Sequence, residues 1–412
     1  MNEWKKYSLE DLAFYYNGKA FKPSDWKKDG VKIIRIEQLN NPEGFYDFYQ
    51  GEFPDTNKIE NGDLIFSWSA TLKVLIWKHG DAVLNQHLFK VVPKQFVDKH
   101  FLFFLLDQNM EKIGDTSHGS TMKHIKRGEL EKFFVFAPDK TIQQQIAKIL
   151  STADAVIEKT QAAIDKYKAI KQGMLHDLFT RGIDISTGKL RPKYEEAPEL
   201  YKESKLGMIP KEWEEKRLEE FTTIIGDGIH TTPRYSENTD YHFINGNNLS
   251  NGEILIGSAL CVDEEEYKRH FKELNSRTIL YSINGTIGNI AIYKNQKVIL
   301  GKSACFISCK SNVNLDYIFF FIQSFPVFKF YELEMTGSTI KNLSLASVRN
   351  TPITIPKEDD EQKIIAERIR TINNKLQTEE SYLLKLQQIK IGLMGDLLSG
   401  KKRVTIKEEE MA

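Results

Sequence analysis

The sequence predicts an α+β protein in which two β-rich globular domains are each followed by a long helix. In residues 142–178, apolar or small side chains recur at steps that alternate between four and three, and no proline interrupts them. Residues 362–397 repeat this pattern. A 3.5-residue repeat places a narrow apolar seam on one side of a helix, and such a helix is stable only against a partner. The two helices are therefore predicted to pair with each other.

Identities at a fixed spacing indicate that the chain is an internal duplication. The seam predicted in the first helix consists of Ile142, Ile146, Ile149, Ala153, Val156, Thr160, Ala163, Tyr167, Ile170 and Met174. A shift of 219 positions aligns Gln143 with Gln362, Ile146 with Ile365, Lys171 with Lys390, and Asp177-Leu178 with Asp396-Leu397. Outside the helices, Trp4 aligns with Trp213 and Pro138 with Pro356. Unrelated amphipathic helices would share the period but not these identities.

Each globular half is predicted to be mainly strands, because its short β-branched and aromatic runs are bounded by Gly, Asn or Asp. The predicted strands are 32–36, 64–68, 73–78, 88–92 and 133–136 in the first half, and 241–244, 278–283, 289–293, 305–309 and 353–355 in the second. One apolar helix is predicted in each half, at 98–110 and 315–325. The predicted domains are 1–140 and 213–357, the long helices 141–182 and 358–400, the linker 183–212 and the C-terminal tail 401–412.

Composition limits the class of protein. No apolar run is long enough to span a bilayer, and the polar N-terminus predicts no secretory signal. The three cysteines have no metal-binding or disulfide spacing, so we expect a reducing, cytoplasmic location. The 57 basic and 57 acidic residues balance. A nucleic-acid binder usually carries a basic excess, so any DNA-binding face must come from sorting the charges in space.

Motifs for catalysis are not recognisable in the sequence. The segment Gly301-Lys302-Ser303 resembles the end of a phosphate-binding loop, but Gln296 stands where that loop needs its first glycine. No glycine-rich cofactor turn, nuclease spacing or metal-ligand spacing is evident. We therefore predict a chain with no catalysis of its own, no metal and no bound cofactor.

The arrangement of two unlike β-rich domains, each followed by a similar long helix, resembles the specificity subunit of Type I restriction-modification systems, HsdS. The most specific elements are a strand, a proline and a Gln-x-x-Ile helix start: residues 133–138 with Gln143 to Ile146, and residues 353–356 with Gln362 to Ile365. The stretch from Gly226 to Tyr235 also resembles a motif of this family's recognition domains. The first domain keeps only Gly18 and Pro23 of that motif.

This resemblance implies a DNA-binding restriction-system subunit. Each globular domain would be a target recognition domain that reads one half of a bipartite double-stranded DNA target. The long helices would form an antiparallel coiled coil that sets the unread spacer. They would also hold two copies of the modification subunit HsdM, which carries S-adenosylmethionine. The restriction subunit HsdR, which uses ATP and Mg, would join through that complex, and no membrane would be involved.

Candidate DNA contacts follow from the side chains that read base edges or bind phosphates. In the first domain they are Lys19, Lys22, Trp68, Thr71, Lys73, Asn85, Gln86, His87, Ser120, Thr121 and Lys123. In the second they are Asp227, His230, Thr231, Thr232, Arg234, Asn245, Asn247, Asn248, Lys302, Ser303, Ser338, Thr339 and Lys341. Turn formation is an alternative role for the Asn and Asp residues, and core packing is one for Trp68.

Two other classes of function remain open on the sequence. The zero net charge is compatible with a non-catalytic coiled-coil interaction protein whose globular domains bind protein or ligand rather than DNA. An enzyme with an unrecognised site is the other. A test of DNA binding in the presence of the modification subunit separates an interaction protein from a DNA reader. Methylation by the isolated chain would identify an enzyme.

Overall fold

A computed structural model describes residues 4–69, 71–115, 125, 127–337 and 340–404. The chain divides into two compact units. Unit 1 comprises Met1–Gln161 and Tyr382–Ala412, and unit 2 comprises Ala162–Ser381. Each long helix begins in one unit and ends in the other. Among the described residues, no helix has the length and apolar character needed to cross a membrane.

The strands and helices of unit 1 are mostly short. The strands are β1 (Lys5–Ser8), β2 (Ala13–Asn17), β3 (Val31–Ile34), β4 (Phe48–Tyr49), β5 (Lys58–Ile59), β6 (Leu64–Ser67), β7 (Lys73–Ile76), β8 (Ala82–Leu84), β9 (Leu88–Pro93) and β10 (Phe134–Ala137). The helices are α1 (Leu9–Leu12), α2 (Ile36–Asn40), α3 (Lys99–Asp115), α4 (Arg127–Lys132) and the first half of α5 (Lys140–Thr180).

Two four-stranded sheets form the centre of unit 1. One has the order β2-β9-β6-β7 and is antiparallel throughout. The other has the order β4-β3-β8-β5, and its central strands β3 and β8 are parallel. β1 pairs with β10, the strand that leads into α5. The helix α3 and the first sheet share one buried cluster, which includes Phe66, Phe89, Phe101 and Phe104.

Unit 2 contains the remaining elements. Its strands are β11 (Ile183–Asp184), β12 (Lys189–Leu190), β13 (Tyr201–Ser204), β14 (Gly207–Pro210), β15 (Trp213–Arg217), β16 (Thr222–Gly226), β17 (Tyr241–Ile244), β18 (Leu249–Ser250), β19 (Glu253–Ile254), β20 (Leu260–Val262), β21 (Thr278–Ser282), β22 (Ile290–Ile292), β23 (Val298–Leu300), β24 (Ala304–Cys309) and β25 (Pro352–Pro356). Its helices are α6 (Glu264–His270), α7 (Leu315–Phe321), α8 (Phe325–Glu334), α9 (Leu345–Arg349) and α10 (Asp359–Leu397), whose last turns belong to unit 1.

The topology of unit 2 repeats that of unit 1. The order β16-β24-β21-β22 corresponds to β2-β9-β6-β7. The parallel pair β17 and β23 corresponds to β3 and β8, and β15 with β25 corresponds to β1 with β10. The internal duplication inferred from the sequence is therefore a duplication of fold.

Inside each unit, the N-terminal part of one long helix packs against the C-terminal part of the other. In unit 1, Ile146 and Leu150 from the start of α5 lie in one buried cluster with Met394 and Leu397 from the end of α10. In unit 2, Leu175 and Leu178 from the end of α5 lie in one buried cluster with Ile365 and Ile369 from the start of α10.

The predicted seam of α5 was wrong at Ile149 and Ile170, where the following residue is buried instead. Ile149 and Ile170 are 36% and 39% exposed, whereas Leu150, Ile164 and Lys171 are 0%, 1% and 9% exposed. A 3.5-residue repeat allows either of two adjacent residues at alternate steps, and both choices at 149 and 150 are apolar. Burial of a lysine at 171 was not predicted, because lysine is rarely buried without a partner.

Three of the differences from the predicted secondary structure lie at 315–325, 183–212 and 32–36. The segment predicted as one helix at 315–325 forms α7 and α8, because Ser324 and a proline in the first turn start a new helix there. The predicted linker 183–212 carries two antiparallel hairpins, β11 with β12 and β13 with β14. The predicted strand 32–36 ends at Ile34 and is followed directly by α2.

Candidate nucleic-acid interface

Three loops of unit 1 meet where two parallel strands end. Because β3 and β8 are parallel neighbours, their carboxyl ends lie at the same edge of the sheet. The amide of Asn85, just after β8, donates to the carbonyl of Ile34 at 3.0 Å. The amide of Lys19, in the loop after β2, donates to the carbonyl of Leu84 at 2.8 Å, and the Gln86 amide donates back to Lys19 at 3.0 Å. Backbone hydrogen bonds therefore hold the loops after β2, β3 and β8 together.

The equivalent loops of unit 2 meet in the same way. The amide of Gly301, after β23, donates to the carbonyl of Ile244 at the end of β17 at 2.8 Å. The amide of Ile229, after β16, donates to the carbonyl of Leu300 at 2.8 Å. We call this arrangement the three-loop site. It is formed by the loops after β2, β3 and β8 in unit 1 and by the loops after β16, β17 and β23 in unit 2.

One glycine in each unit allows the close approach of these loops. A Cβ atom on Gly18 would overlap with the carbonyl oxygens of Leu84 and Asn85. A Cβ atom on Gly228 would overlap with the carbonyl oxygen of Leu300. The glycine that the two halves share in this motif is therefore required by packing of backbone on backbone.

Four predicted residues come together in the three-loop site of unit 1. Lys19 donates from Nζ to the Tyr49 hydroxyl at 2.6 Å and lies over that ring. Gln86 Nε2 and His87 Nε2 are 3.2 Å apart, and the buried Nδ1 of His87 has no hydrogen-bond partner among the described residues. Asn85 is buried, and its Oδ1 accepts from the His87 amide. These groups offer both donors and acceptors at one edge.

The other predicted residues of unit 1 lie in different settings. Trp68 packs against His87, with their ring centroids 5.6 Å apart, and so borders the three-loop site. Lys22 is exposed on the loop after β2, and Thr71 is exposed ahead of β7. Lys73 donates from Nζ to the carbonyl of Leu39 at 2.6 Å, which anchors the end of α2.

The loop after β16 in unit 2 carries five predicted residues. His230 Nε2 and Asp227 Oδ2 are 2.8 Å apart. Thr231 and Thr232 are exposed. Arg234 pairs with Asp263 at 2.8 Å and with Glu265 at 3.1 Å, and the hydrogen bond that it donates to Glu265 and the charge of Asp263 raise the pKa of its guanidinium. Arg234 therefore ties this loop to the start of α6.

The asparagines and serine of unit 2 form a turn network. Ser303 Oγ donates to Asn245 Oδ1 at 3.1 Å and accepts from the amide of Gly246 at 2.9 Å. Asn248 Oδ1 accepts from the amide of Asn245 at 2.9 Å, and Asn248 is buried. These contacts match turn formation, the alternative to DNA contact for these asparagines. Asn247 and Lys302 are exposed beside this network.

Several predicted residues cannot be placed. Ser120, Thr121, Lys123, Ser338 and Thr339 lie outside the described residues. Lys341 is exposed, and its carbonyl accepts from the amide of Gly285 at 3.0 Å.

Within the described ranges, no group of three or more His, Cys, Asp and Glu side chains is arranged to hold a metal ion.

Sequence reasoning missed Arg35, which immediately follows β3 in the unit 1 site. Its Nη1 pairs with Asp47 at 2.5 Å, and its guanidinium lies over the ring of Trp26 at 4.5 Å. Its buried Nη2 has no hydrogen-bond partner among the described residues. Within the internal repeat Leu39 also aligns with Leu249. The same shift places Arg35 opposite the predicted Asn245, so this alignment could have revealed Arg35.

Comparison with known proteins identifies one family. A sequence model described as Type I restriction modification DNA specificity domain matches residues 1–166 and 210–388. The EcoBI specificity subunit of Escherichia coli is 23% identical over 385 residues, covering 88% of this chain and 78% of that protein. The MjaVIII specificity subunit of Methanocaldococcus jannaschii is 23% identical over 424 residues, covering 98% and 93%.

Solved structures share the fold. The S subunit of a Type I restriction-modification system from M. genitalium superposes with a TM-score of 0.59 at 15% identity, covering 98% of this chain and 97% of that one. A chain from a structure on complex assembly and conformational transition of the Type I system gives a TM-score of 0.53 at 13% identity, covering 97% and 98%.

Proposed function

Because the chain belongs to the family of Type I restriction modification DNA specificity domains, we propose that it reads a bipartite DNA target with one unit for each half-site. The family resemblance predicted from the sequence is confirmed by this match. The observation that carries the proposal is the three-loop site, which occurs once in each unit on the same strand framework.

Differences between the two sites favour different half-sites. Unit 1 presents Arg35, Gln86 and His87, whereas the aligned positions of unit 2 carry Asn245, Lys302 and Ser303. Arginine and lysine pair with guanine in the major groove, and asparagine and glutamine pair with adenine. Exposed lysines around the loop after β2, including Lys22, Lys27 and Lys28, suit phosphate contacts that position the unit without reading sequence.

We further propose that α5 and α10 form an antiparallel coiled coil that fixes the unread spacer. Two half-sites must be held at a separation that matches the pitch of the duplex, which a paired helix can do and a flexible linker cannot. The opposite polarity of the packed helix ends in each unit supports this arrangement.

The same helices are proposed to dock two copies of the modification subunit, with the restriction subunit joining through that complex. In this assembly the chain supplies the address, while methylation and ATP-driven cleavage reside on its partners in the cytoplasm. The relatives are named as specificity subunits of Type I restriction enzymes, which supports this division.

Methylome sequencing tests the proposed function. The chain and its modification subunit are expressed in a host that lacks other methyltransferases, and methylated adenines are mapped. We expect one bipartite motif. Exchange of residues 1–140 for those of a relative with another target should change one half-site, and exchange of residues 213–357 should change the other.

Three outcomes would contradict the proposal. No enriched motif with the partner present would favour an interaction protein whose domains bind protein or ligand. A change of both half-sites on a single exchange would exclude one unit for each half-site. Methylation by the chain without its partner would instead identify an enzyme.

A further inference from the structure

Two lysine side chains lie on the inner faces of the long helices and are related by the internal repeat. In unit 2, Lys171 of α5 donates from Nζ to Asn373 Oδ1 of α10 at 2.6 Å. In unit 1, Lys390 of α10 pairs with Asp154 Oδ1 of α5 at 2.6 Å. The shift of 219 positions converts Lys171 into Lys390 and Asp154 into Asn373. The same polar pair is therefore built twice, with the two helices exchanging roles.

Stability alone does not explain the buried pair Lys171–Asn373. Lys171 is 9% exposed and Asn373 is 8% exposed. Burial lowers the pKa of the Lys171 amine, and the negative charge of Glu380 only partly opposes this. An apolar pair of similar volume at such a position is often as stable or more stable, because it avoids the desolvation of a charge.

Both pairs require the same alignment of the helices. When two helices pack antiparallel in one alignment, the residue numbers of facing residues add up to the same value along the whole pair. The sum is the same for Lys171 with Asn373 as for Asp154 with Lys390. A single polar position in a helix seam can specify alignment at some cost in stability.

We propose that the pairs Lys171–Asn373 and Lys390–Asp154 are positioning residues that fix the alignment of α5 with α10 and thereby the length of the unread DNA spacer. The spacer part of this inference rests on the proposed function. The alignment part concerns this chain alone and does not depend on DNA.

A shift of α5 along α10 by one heptad, which is seven residues, is unfavourable in either direction. In one direction Lys171 and Lys390 would face Ala366 and Ala147, and neither alanine can accept a hydrogen bond from the ammonium groups through its side chain. In that alignment Asp154 and Asn373 would face the apolar Leu383 and Ile164.

In the other direction the acceptors lose their partners. Asp154 would face Leu397 and Asn373 would face Leu178. Lys171 would still meet an acid, Glu380, and Lys390 would meet Gln161. This second slip is therefore the less costly of the two and is the one expected when the pairs are removed.

The test replaces both pairs by leucine: Lys171→Leu with Asn373→Leu, and Lys390→Leu with Asp154→Leu. A matched control, Lys166→Leu with Asn374→Leu, changes the same residue types at exposed positions of the same helices in unit 2. Spin labels on Ala162→Cys and Thr371→Cys, both exposed positions of unit 2, report the alignment in a Cys261→Ser background.

We expect one distance between the labels in the parent and in the control. The leucine variant should show a second population, displaced by about 10 Å along the helix axis, which is one heptad at 1.5 Å per residue. With the modification subunit, its methylome should contain a second spacer class that differs by about 3 base pairs.

A rescue variant separates alignment from packing. In a chain that keeps Lys390→Leu and Asp154→Leu, exchanging the partners of the other pair, with Lys171→Asn and Asn373→Lys, places the same two groups in the original alignment and should restore a single distance. If the four leucines prevent folding, a variant with Lys171→Met and Lys390→Met in place of the two lysine-to-leucine changes, together with Asn373→Leu and Asp154→Leu, makes the same test with less change in shape.

Each outcome decides the inference. One distance and one spacer in a folded leucine variant would overturn it, even if the melting temperature changes, because that result identifies a purely structural role. Two distances in a protein whose parent has no bipartite motif would support the alignment role and contradict the proposed function instead.

Discussion

Gln143 donates a hydrogen bond from Nε2 to the carbonyl oxygen of Pro138 at 2.9 Å, so a helix side chain binds the end of the preceding strand. Gln362 makes the same bond to Pro356 at 2.9 Å. Both glutamines are almost fully buried. The strand, proline and glutamine pattern therefore has a physical reason in both units: the glutamine satisfies a buried carbonyl where the chain turns from β10 into α5 and from β25 into α10.

Removing these glutamines should destabilise the two units unequally. Gln143 also accepts from the Asp98 amide at 2.8 Å, which orients the start of α3. Each buried polar group left without a partner costs about 1–3 kcal/mol. We expect Gln143→Leu to lower the melting temperature more than Gln362→Leu, measured by calorimetry. Gln144→Leu, at an exposed position, is the control, and equal effects of all three would contradict the interpretation.

Gly228 provides a test of the three-loop site. Gly228→Ala places a Cβ against the Leu300 carbonyl and should displace the loop after β16. Loss of contacts to a base pair typically costs about 1–3 kcal/mol. We therefore expect the complex with the modification subunit to bind its target about 10-fold or more weakly in a fluorescence anisotropy titration.

The control for this variant is Gly257→Ala, where a Cβ meets open space. Duplexes altered in either half-site show which half is affected. Gly228→Ala should remove discrimination at the half-site that unit 2 reads and retain it at the other. Equal loss at both half-sites would count against separate reading by the two units.

The sequence could predict the repeat and the principal strands because these depend on local patterns. β17 has the bounds that were predicted, and β21 and β24 differ by one residue. The hairpins at β11–β14 escaped prediction because polar, proline-containing segments lack the alternation of a half-buried strand. Their ordering depends on contacts far away in sequence, such as the bidentate pair between Arg191 and Glu361.

The candidate site was only partly predictable for a related reason. Residues of one loop motif, such as Asp227 and His230, are close in sequence and were found together. Arg35 and Gln86 are 51 positions apart, and only the parallel pairing of β3 with β8 brings their loops together. Which asparagines serve the turn, as Asn248 does, likewise depends on backbone geometry.

The cysteines should differ in reactivity. Burial raises the pKa of the Cys309 thiol to about 11 and also raises the pKa of the Cys305 thiol. At pH 8, below these values, both stay protonated and unreactive, because the thiolate is the nucleophile. We expect iodoacetamide to modify Cys261 alone in the native protein and all three cysteines in denaturant, measured by mass spectrometry. Rapid native modification of Cys305 or Cys309 would contradict their burial.

Arg35 should determine one position of the half-site that unit 1 reads. Stacking on Trp26 and pairing with Asp47 hold its guanidinium in one orientation, as base recognition requires. Arg35→Gln should cost about 1–3 kcal/mol of discrimination and relax the motif at a single base pair in the methylome. Lys22 is an exposed charge in the same unit, and Lys22→Gln should instead weaken binding to all sequences. It should also lower, by about one, the slope of the logarithm of the binding constant against the logarithm of the salt concentration. If Arg35→Gln leaves the motif unchanged while lowering the melting temperature, Arg35 serves only to hold the loop after β3.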